Sequence, residues 1–466
     1  MQVGSLGLKL SIFLFAIIHF FSYFYENKYL LSFLSLTGLA IILFSIIKLR
    51  IKNIKMPFIL FSAGIVILIL FGENFLEDLS EGLRQMRNIV GLLIIVPMIR
   101  FVLMEEDYIG AVIYAAHSFL DMSRKFYAGM VGFIQIIAYF LIFGAIPMMY
   151  DVVNSILKNK QGEAWEHFKS TALIRGFSLS VIWAISIPSF AYVVEIMDAP
   201  LGRTILQGLC IAVLGMILAL IFFHFEEKRY GIDITKGLQS ELKQVIKHQR
   251  NPRQMNRLVT EFIILFLTLV ASIFMAYAIF NLELLVLIPL IILLWIATYY
   301  FVKRRPKRLT QEMYQYFSKD AESQGYQLSM MLGVGVFIYG LHQTSFALLV
   351  IDGIYSVQEG IPFLNILYFL PFIIIILGFF GMGPMTVMVL VGGILESVDL
   401  AYPSELVVLA ITSGSMISIL LSPLIMPLIM ISSANGMSAL KNGIGFNWKF
   451  AIVMYIVVQV YIQLMV

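Results

Sequence analysis

Apolar runs long enough to cross a lipid bilayer follow one another along this chain. They lie at about 8–25, 29–48, 57–72, 88–104, 126–143, 171–196, 203–223, 261–280, 282–302, 328–350, 361–380, 405–432 and 446–466. About 20 helical residues cover the hydrocarbon core, and in hydrocarbon every backbone N–H and C=O must be bonded internally. Composition agrees: 60% of the 466 residues are hydrophobic, 13% are charged, and the mean hydropathy is +0.92. Soluble domains carry about 25% charged residues. The expected fold class is an all-α polytopic membrane protein. The run 8–25 lacks a small-x-small cleavage site and reads as a retained signal anchor.

Two motifs recur at almost one spacing. Phe143-Gly144-x-x-Pro147-Met148 returns 237 residues later as Phe380-Gly381-x-x-Pro384-Met385. Ser178-x-Ser180-x-Ile182-x5-Pro188 returns 235 residues later as Ser413-x-Ser415-x-Ile417-x5-Pro423. Paired interruptions of this kind in apolar segments mark repeat halves with a binding site between them. Two apolar arms, 145–157 and 384–397, reach only about 20 Å and read as re-entrant pieces, whose irregular backbone must be buried or line a cavity.

Loop charge sets the orientation. Basic residues crowd 224–258, 303–308 and 48–55, which are expected in the cytoplasm, whereas 72–83, 351–361 and 398–404 carry acids and belong outside. Arg124-Lys125 and a basic loop holding Lys158, Lys160 and Lys169 bring both ends of the first hairpin inside. The second hairpin starts outside and returns to Asp399 and Glu405, also outside. The halves are therefore expected to be inverted. The predicted division is 1–104 N-terminal scaffold helices, 105–223 the first transport repeat, 224–327 a basic linker and connecting helical hairpin, and 328–466 the second, inverted repeat. The amphipathic stretch 105–125 is expected on the cytoplasmic interface, and the polar linker 231–258 reads as a helix in water.

Candidate substrate-binding residues follow from the interruptions. Gly144, Pro147, Gly381, Gly383 and Pro384 free backbone groups at the hairpin tips, and freed N–H groups at half-helix N-termini suit an anion. Ser178 and Ser180, then Ser413, Gly414, Ser415 and Ser418, bring hydroxyls to the broken helices, with Thr386 behind the second tip. Arg175, just before the first serines, could clamp a carboxylate. A coupling Na⁺ is expected near Gly144, Pro188, Gly381, Ser422 and Pro423. The competing reading of the tips and hydroxyls is a proline kink or a small residue that lets helices pack, and that of Arg175 is a cytoplasmic positive-inside residue. His342 reads as a proton relay or a packed histidine, and Gly333, Gly335 and Gly340 as packing residues.

Other chemistries lack residues. The single cysteine, Cys210, allows no intramolecular disulfide and no Cys-rich metal site. There is no GxxxxGK[ST] motif for ATP, and the formal charge of +4 reflects basic loops rather than a nucleic-acid surface. No catalytic residues and no organic cofactor are expected. Intramembrane Ser/His hydrolysis would need His342 beside Ser415.

Two inverted halves, each a re-entrant hairpin followed by an interrupted helix, over roughly 105–223 and 328–466, resemble the ion transporter superfamily of secondary carriers. That group includes the divalent anion/sodium symporters, the large membrane subunit of TRAP transporters and the arsenite-type permeases. Its symporters carry a Ser-Asn-Thr-type motif at the tips. Here the tips read Gly144-Ala145-Ile146-Pro147 and Gly381-Met382-Gly383-Pro384, with Ser413-Gly414-Ser415 a loose analogue, so the likeness is architectural. It implies an elevator-like movement of the repeat core against a scaffold, often as a homodimer.

The expected function is alternating-access transport of a small organic or inorganic anion, driven by a Na⁺ or H⁺ gradient. The expected location is the cytoplasmic membrane, multi-pass, with the N-terminus inside. The lipid bilayer and the anion are the expected partners. A flippase for a lipid-linked or envelope precursor is the alternative within transport.

Overall fold

In the computed structural model, residues 2–25, 27–116, 122–157, 160, 162–231, 252–280, 282–346, 349, 352–353, 356, 365–396, 398 and 400–466 are described. Most of the linker expected as a helix over 231–258, and most of 351–361, lie outside them. Every regular element among the described residues is helical, and nine of these helical segments are long and apolar enough to cross a membrane. The protein is an all-α polytopic membrane protein.

The chain opens with α1 (Gln2–Phe24), α2 (Lys28–Leu49) and α3 (Lys55–Phe71). A bent segment follows: α4 (Phe75–Gln85), α5 (Arg87–Ile95) and α6 (Arg100–Leu103). After α7 (Tyr108–Ala116) comes a hairpin, α8 (Ser123–Leu141) and α9 (Ala145–Ile156). Then α10 (Glu163–Ser180) stops and resumes as α11 (Pro188–Ile196), and α12 (Leu201–Tyr230) returns. α13 (Pro252–Phe280) and α14 (Leu284–Val302) lead through α15 (Pro306–Gln315) to α16 (Gly325–His342). A second hairpin, α17 (Ile366–Phe379) and α18 (Pro384–Leu395), precedes α19 (Ser404–Leu421), which stops and resumes as α20 (Met426–Asn435) before α21 (Phe446–Met465).

Small residues set the closest packing, because close backbone approach is what drives helix association in lipid. α16 lies against α2, α3 and α4. A Cβ at Gly64 would sit 2.8 Å from the Phe337 nitrogen, and one at Gly335 2.7 Å from the Gly82 carbonyl. The glycines of α16 are thus packing residues, and the helix expected to open the second repeat lies on the N-terminal helices.

The two hairpin–helix units repeat one packing pattern. α8 lies on α10 as α17 lies on α19, and α12 lies on α10 as α21 lies on α19. α10 and α19 pack against each other. The second arm of each hairpin then reaches the other unit: α9 packs on α20, and α18 on α11. Outward-facing positions are apolar, including Ile263, Leu267, Met275 and Phe280 on α13 and Ile452, Ile456 and Val460 on α21. Such a surface suits acyl chains.

Candidate functional site

Proline explains both helix breaks. Without an N–H, and with its ring against the carbonyl four residues back, proline ends a helix. α10 runs out over 181–187, and Pro188 becomes the first residue of α11. Ser422, which precedes Pro423, is extended (φ −76°, ψ 118°), as the residue before proline tends to be. α20 then starts with Pro427 in its first turn. The position held by Pro188 in the first unit is therefore occupied by Pro427 in the second, and Pro423 sits inside the break.

Each break is tied to its hairpin by one serine. Ser186 Oγ donates to the Tyr139 carbonyl at 2.5 Å, and Ser422 Oγ donates to the Gly378 carbonyl at 2.8 Å. Both carbonyls lie in the last turn of a hairpin's first arm, where helix carbonyls lose their partners.

The tips differ. At the second, Gly381 takes φ +83°, a region in which a side chain is strained. At the first, the positive φ of 48° falls on Ile142, whereas Gly144 is helical at φ −63°. The first turn thus uses a strained β-branched residue, and Gly144 is not needed for its conformation. Pro384 is the first residue of α18, and Pro147 lies in the first turn of α9.

Four half-helices begin at these breaks and tips: α9, α11, α18 and α20. Their N-cap residues are Gly144, Ile187, Gly383 and Ile425, and none supplies a side-chain cap. Ser, Thr, Asp or Asn would normally accept from the first free N–H groups. No side chain accepts from them here; the Ala145 N–H instead bonds the Ile142 and Phe143 carbonyls of the preceding turn, Pro188 and Pro384 have no N–H, and the positive end of each helix dipole remains.

The candidate hydroxyls divide into two classes. Ser178, Ser180 and Ser413 each donate to the carbonyl three residues back, which satisfies them within their own helices. Ser415 and Ser418 on α19 are fully buried, and their Oγ atoms have no hydrogen-bond partner among the described residues. Ser418 faces the hairpin: a Cβ at Gly378 would come within 2.0 Å of its Oγ. Gly414 brings α19 onto α17, since a Cβ there would lie 2.7 Å from Pro371 Cα. Thr386 is buried on α18. Although α10 and α19 touch, no hydrogen bond among the described residues joins the serines of one to those of the other.

Arg175 is fully buried and fully engaged. Its Nε donates to Asn447 Oδ1 (3.0 Å), one terminal nitrogen to Tyr127 (3.1 Å) and Glu226 (3.2 Å), and the other to Glu226 (2.8 Å) and the Phe446 carbonyl (3.3 Å). Five N–H groups meet five acceptors, so a substrate could take this guanidinium only by displacing one. His342 Nε2 donates to the Gly393 carbonyl at 3.1 Å and not to Ser415, so the pair a hydrolase would need is not assembled.

Sequence reasoning missed a polar belt at the basic end of this core. Lys169, expected in a loop, is buried inside α10 and pairs with Glu166. Asn435 Nδ2 donates to Ser170 Oγ (3.0 Å) and to Asn442 Oδ1 (2.9 Å), and Asn447 Nδ2 to the Asn442 carbonyl (2.8 Å). A usable signal existed: Glu166–Lys169 is a polar pair at helical spacing (i, i+3) beside an apolar run. No family model and no curated protein matches this chain.

Proposed function

We propose that the chain is a secondary active transporter of a small organic or inorganic anion, working by alternating access on a Na⁺ or H⁺ gradient. The observation that carries this reading is the set of four half-helix N-termini without capping side chains, at two tips and two breaks. Freed N–H groups with the positive dipole end behind them form an anion site, and at membrane depth water cannot supply the acceptor. The unpartnered Ser418, which faces the second hairpin at Gly378, and Ser415 one turn before it in α19 add donors for the same ligand.

The mechanism follows from the packing. The matched contacts of α8–α12 and α17–α21 support two inverted repeats, with each hairpin's second arm on the other repeat's outgoing half-helix. Such an arrangement has two equivalent ways of opening, one to each side. The helices α1–α5, α13, α14 and α16 serve as the frame, and the repeat core moves against them.

Reconstituted protein should accumulate one class among lactate, succinate and inorganic phosphate against its gradient when a Na⁺ or H⁺ gradient is imposed. Ser415→Ala/Ser418→Ala should lower uptake at least tenfold, the loss expected when about 1.4 kcal/mol of ligand contact is removed. Full uptake by that variant would reduce the serines to packing residues. No accumulation of any soluble anion would overturn the reading in favour of a lipid-linked substrate.

A further inference from the structure

A cavity of about 340 Å³ opens where the two units meet, lined by Tyr150 and Asn154 of α9, Glu166 and Lys169 of α10, and Asn435 of α20. Its charged groups form a closed set. The Lys169 ammonium has three N–H groups, taken by Glu166, by Asn154 Oδ1 at 2.6 Å and by the Lys160 carbonyl at 3.1 Å. The other Glu166 oxygen accepts from the Tyr150 hydroxyl at 2.8 Å. The Lys169 and Glu166 side chains are 1% and 7% exposed. A buried ion pair is poor evidence of stabilisation, and an ionisable group at a membrane-protein core points to function.

The charge balance limits what can enter. Lys169 and Glu166 cancel, and at the rim Glu163 is paired with Lys441. An anion arriving alone would leave one buried negative charge without a partner, which is costly. An anion arriving with a proton leaves the balance unchanged. We propose that this cavity binds a small carboxylate or comparable monoanion together with one proton. The anion takes the place of the Glu166 carboxylate on the Lys169 ammonium. A proton from the water phase forms an O–H bond on the Glu166 oxygen that Lys169 released, and the other oxygen keeps its bond from Tyr150. The Asn154 amide flanks the bound anion, while Asn435 Nδ2 stays on Ser170 and Asn442. This rests on the transporter reading and makes the proton the coupling ion.

The remaining charged and titratable neighbours leave Glu166 as the proton acceptor. From α9, Asp151 is exposed. The Lys160 ammonium lies over the Trp165 ring. Within α10, His167 Nε2 is 3.8 Å from Glu226 of α12, which Arg175 already holds. Arg124 of α8 pairs with Glu227, and α20 offers the Asn435 amide.

The test is calorimetric titration of the purified protein with lactate, succinate and inorganic phosphate, in buffers of different ionisation enthalpy so that protons are counted. The wild-type protein should take up one proton with lactate, and that affinity should fall about tenfold per unit rise in pH, whereas dianionic succinate, whose second charge one proton does not balance, should bind more weakly. Glu166→Gln should bind without proton uptake and with no pH dependence. Because removing Lys169 alone strands a buried carboxylate, the second variant is Glu166→Gln/Lys169→Gln, which should melt as a folded protein and lose the proton-linked binding, with the half-helix N-termini left intact. Binding without proton uptake in the wild type, uptake persisting in Glu166→Gln, or proton-linked binding persisting in the double variant overturns the proposal. Should Ser415→Ala/Ser418→Ala abolish binding while Glu166→Gln/Lys169→Gln keeps it, this inference fails and the transporter reading stands. Absence of binding by all three anions overturns both.

Discussion

Arg175 and Glu226 form a pair whose cost is set by burial. Arg175 is inaccessible to solvent, and Tyr127 and Asn447 complete its shell. Glu226→Gln leaves a buried guanidinium short of its counter-charge and should lower stability by about 3–5 kcal/mol, read from thermal melts in detergent. Glu227→Gln one position on breaks an ion pair whose arginine is 55% exposed, and should cost less than about 1 kcal/mol. Similar losses for both would mean that Arg175 is not sealed. The two tip glycines separate as cleanly. Gly381→Ala forces a side chain into φ +83° and should cost about 1–2 kcal/mol. Gly144→Ala meets only Leu141 Cβ at 3.7 Å and should be neutral or stabilising by up to about 1 kcal/mol. A Gly144→Ala loss as large as that of Gly381→Ala would contradict the placement of the first turn at Ile142. Residues that break helices were legible in the sequence because proline and glycine act locally. Lys169 was not: whether a lysine near a helix start stays in water or turns into the core depends on Glu166, Tyr150 and Asn154, which only the tertiary arrangement brings to it. The unpartnered state of Ser415, against the self-satisfied Ser413, was equally out of reach, since both lie in one apolar stretch.

At the level of elements, boundaries came close because each run is bounded by charge or proline. The runs 8–25, 29–48 and 405–432 correspond to α1, α2 and the pair α19–α20. The repeat spacing misaligned one element: matching Pro188 to Pro423 ignores Pro427, the second residue of α20, which lies in the first turn there as Pro188 does in α11. Local identity fails there because the second break is shorter than the first. One junction gives a pH test. Glu322, between α15 and α16, is held by the Ser5 hydroxyl and by Lys48 (2.9 Å) and Lys9 (3.3 Å), which lower its carboxyl from 4.5 to about 2. A carboxyl with a lowered folded pKa stabilises above its unfolded value, and that stability is lost as pH falls through the folded one. The melting temperature should therefore decline between about pH 4.5 and 2, and Glu322→Gln should remove part of that decline by lowering the melting temperature at neutral pH toward the acid value. An identical acid limb in the variant would mean that the junction joining α1, α2 and α16 does not depend on this carboxylate.

The whole molecule is a bundle with an apolar outer surface, ion pairs gathered at its basic end, and a core in which two hairpin–broken-helix units exchange their second arms. We propose that these units are inverted, because only then do the uncapped N-termini of α9 and α20, and of α18 and α11, give two matched openings on opposite sides. The direct measurement is the sidedness of two single cysteines in a Cys210→Ser background, Glu163→Cys at the start of α10 and Ala401→Cys between α18 and α19, both at exposed positions. A membrane-impermeant thiol reagent applied to sealed vesicles of known orientation should label Glu163→Cys only from the cytoplasmic side and Ala401→Cys only from the outer side. Labelling of both from one side would place the hairpins in parallel and contradict the account.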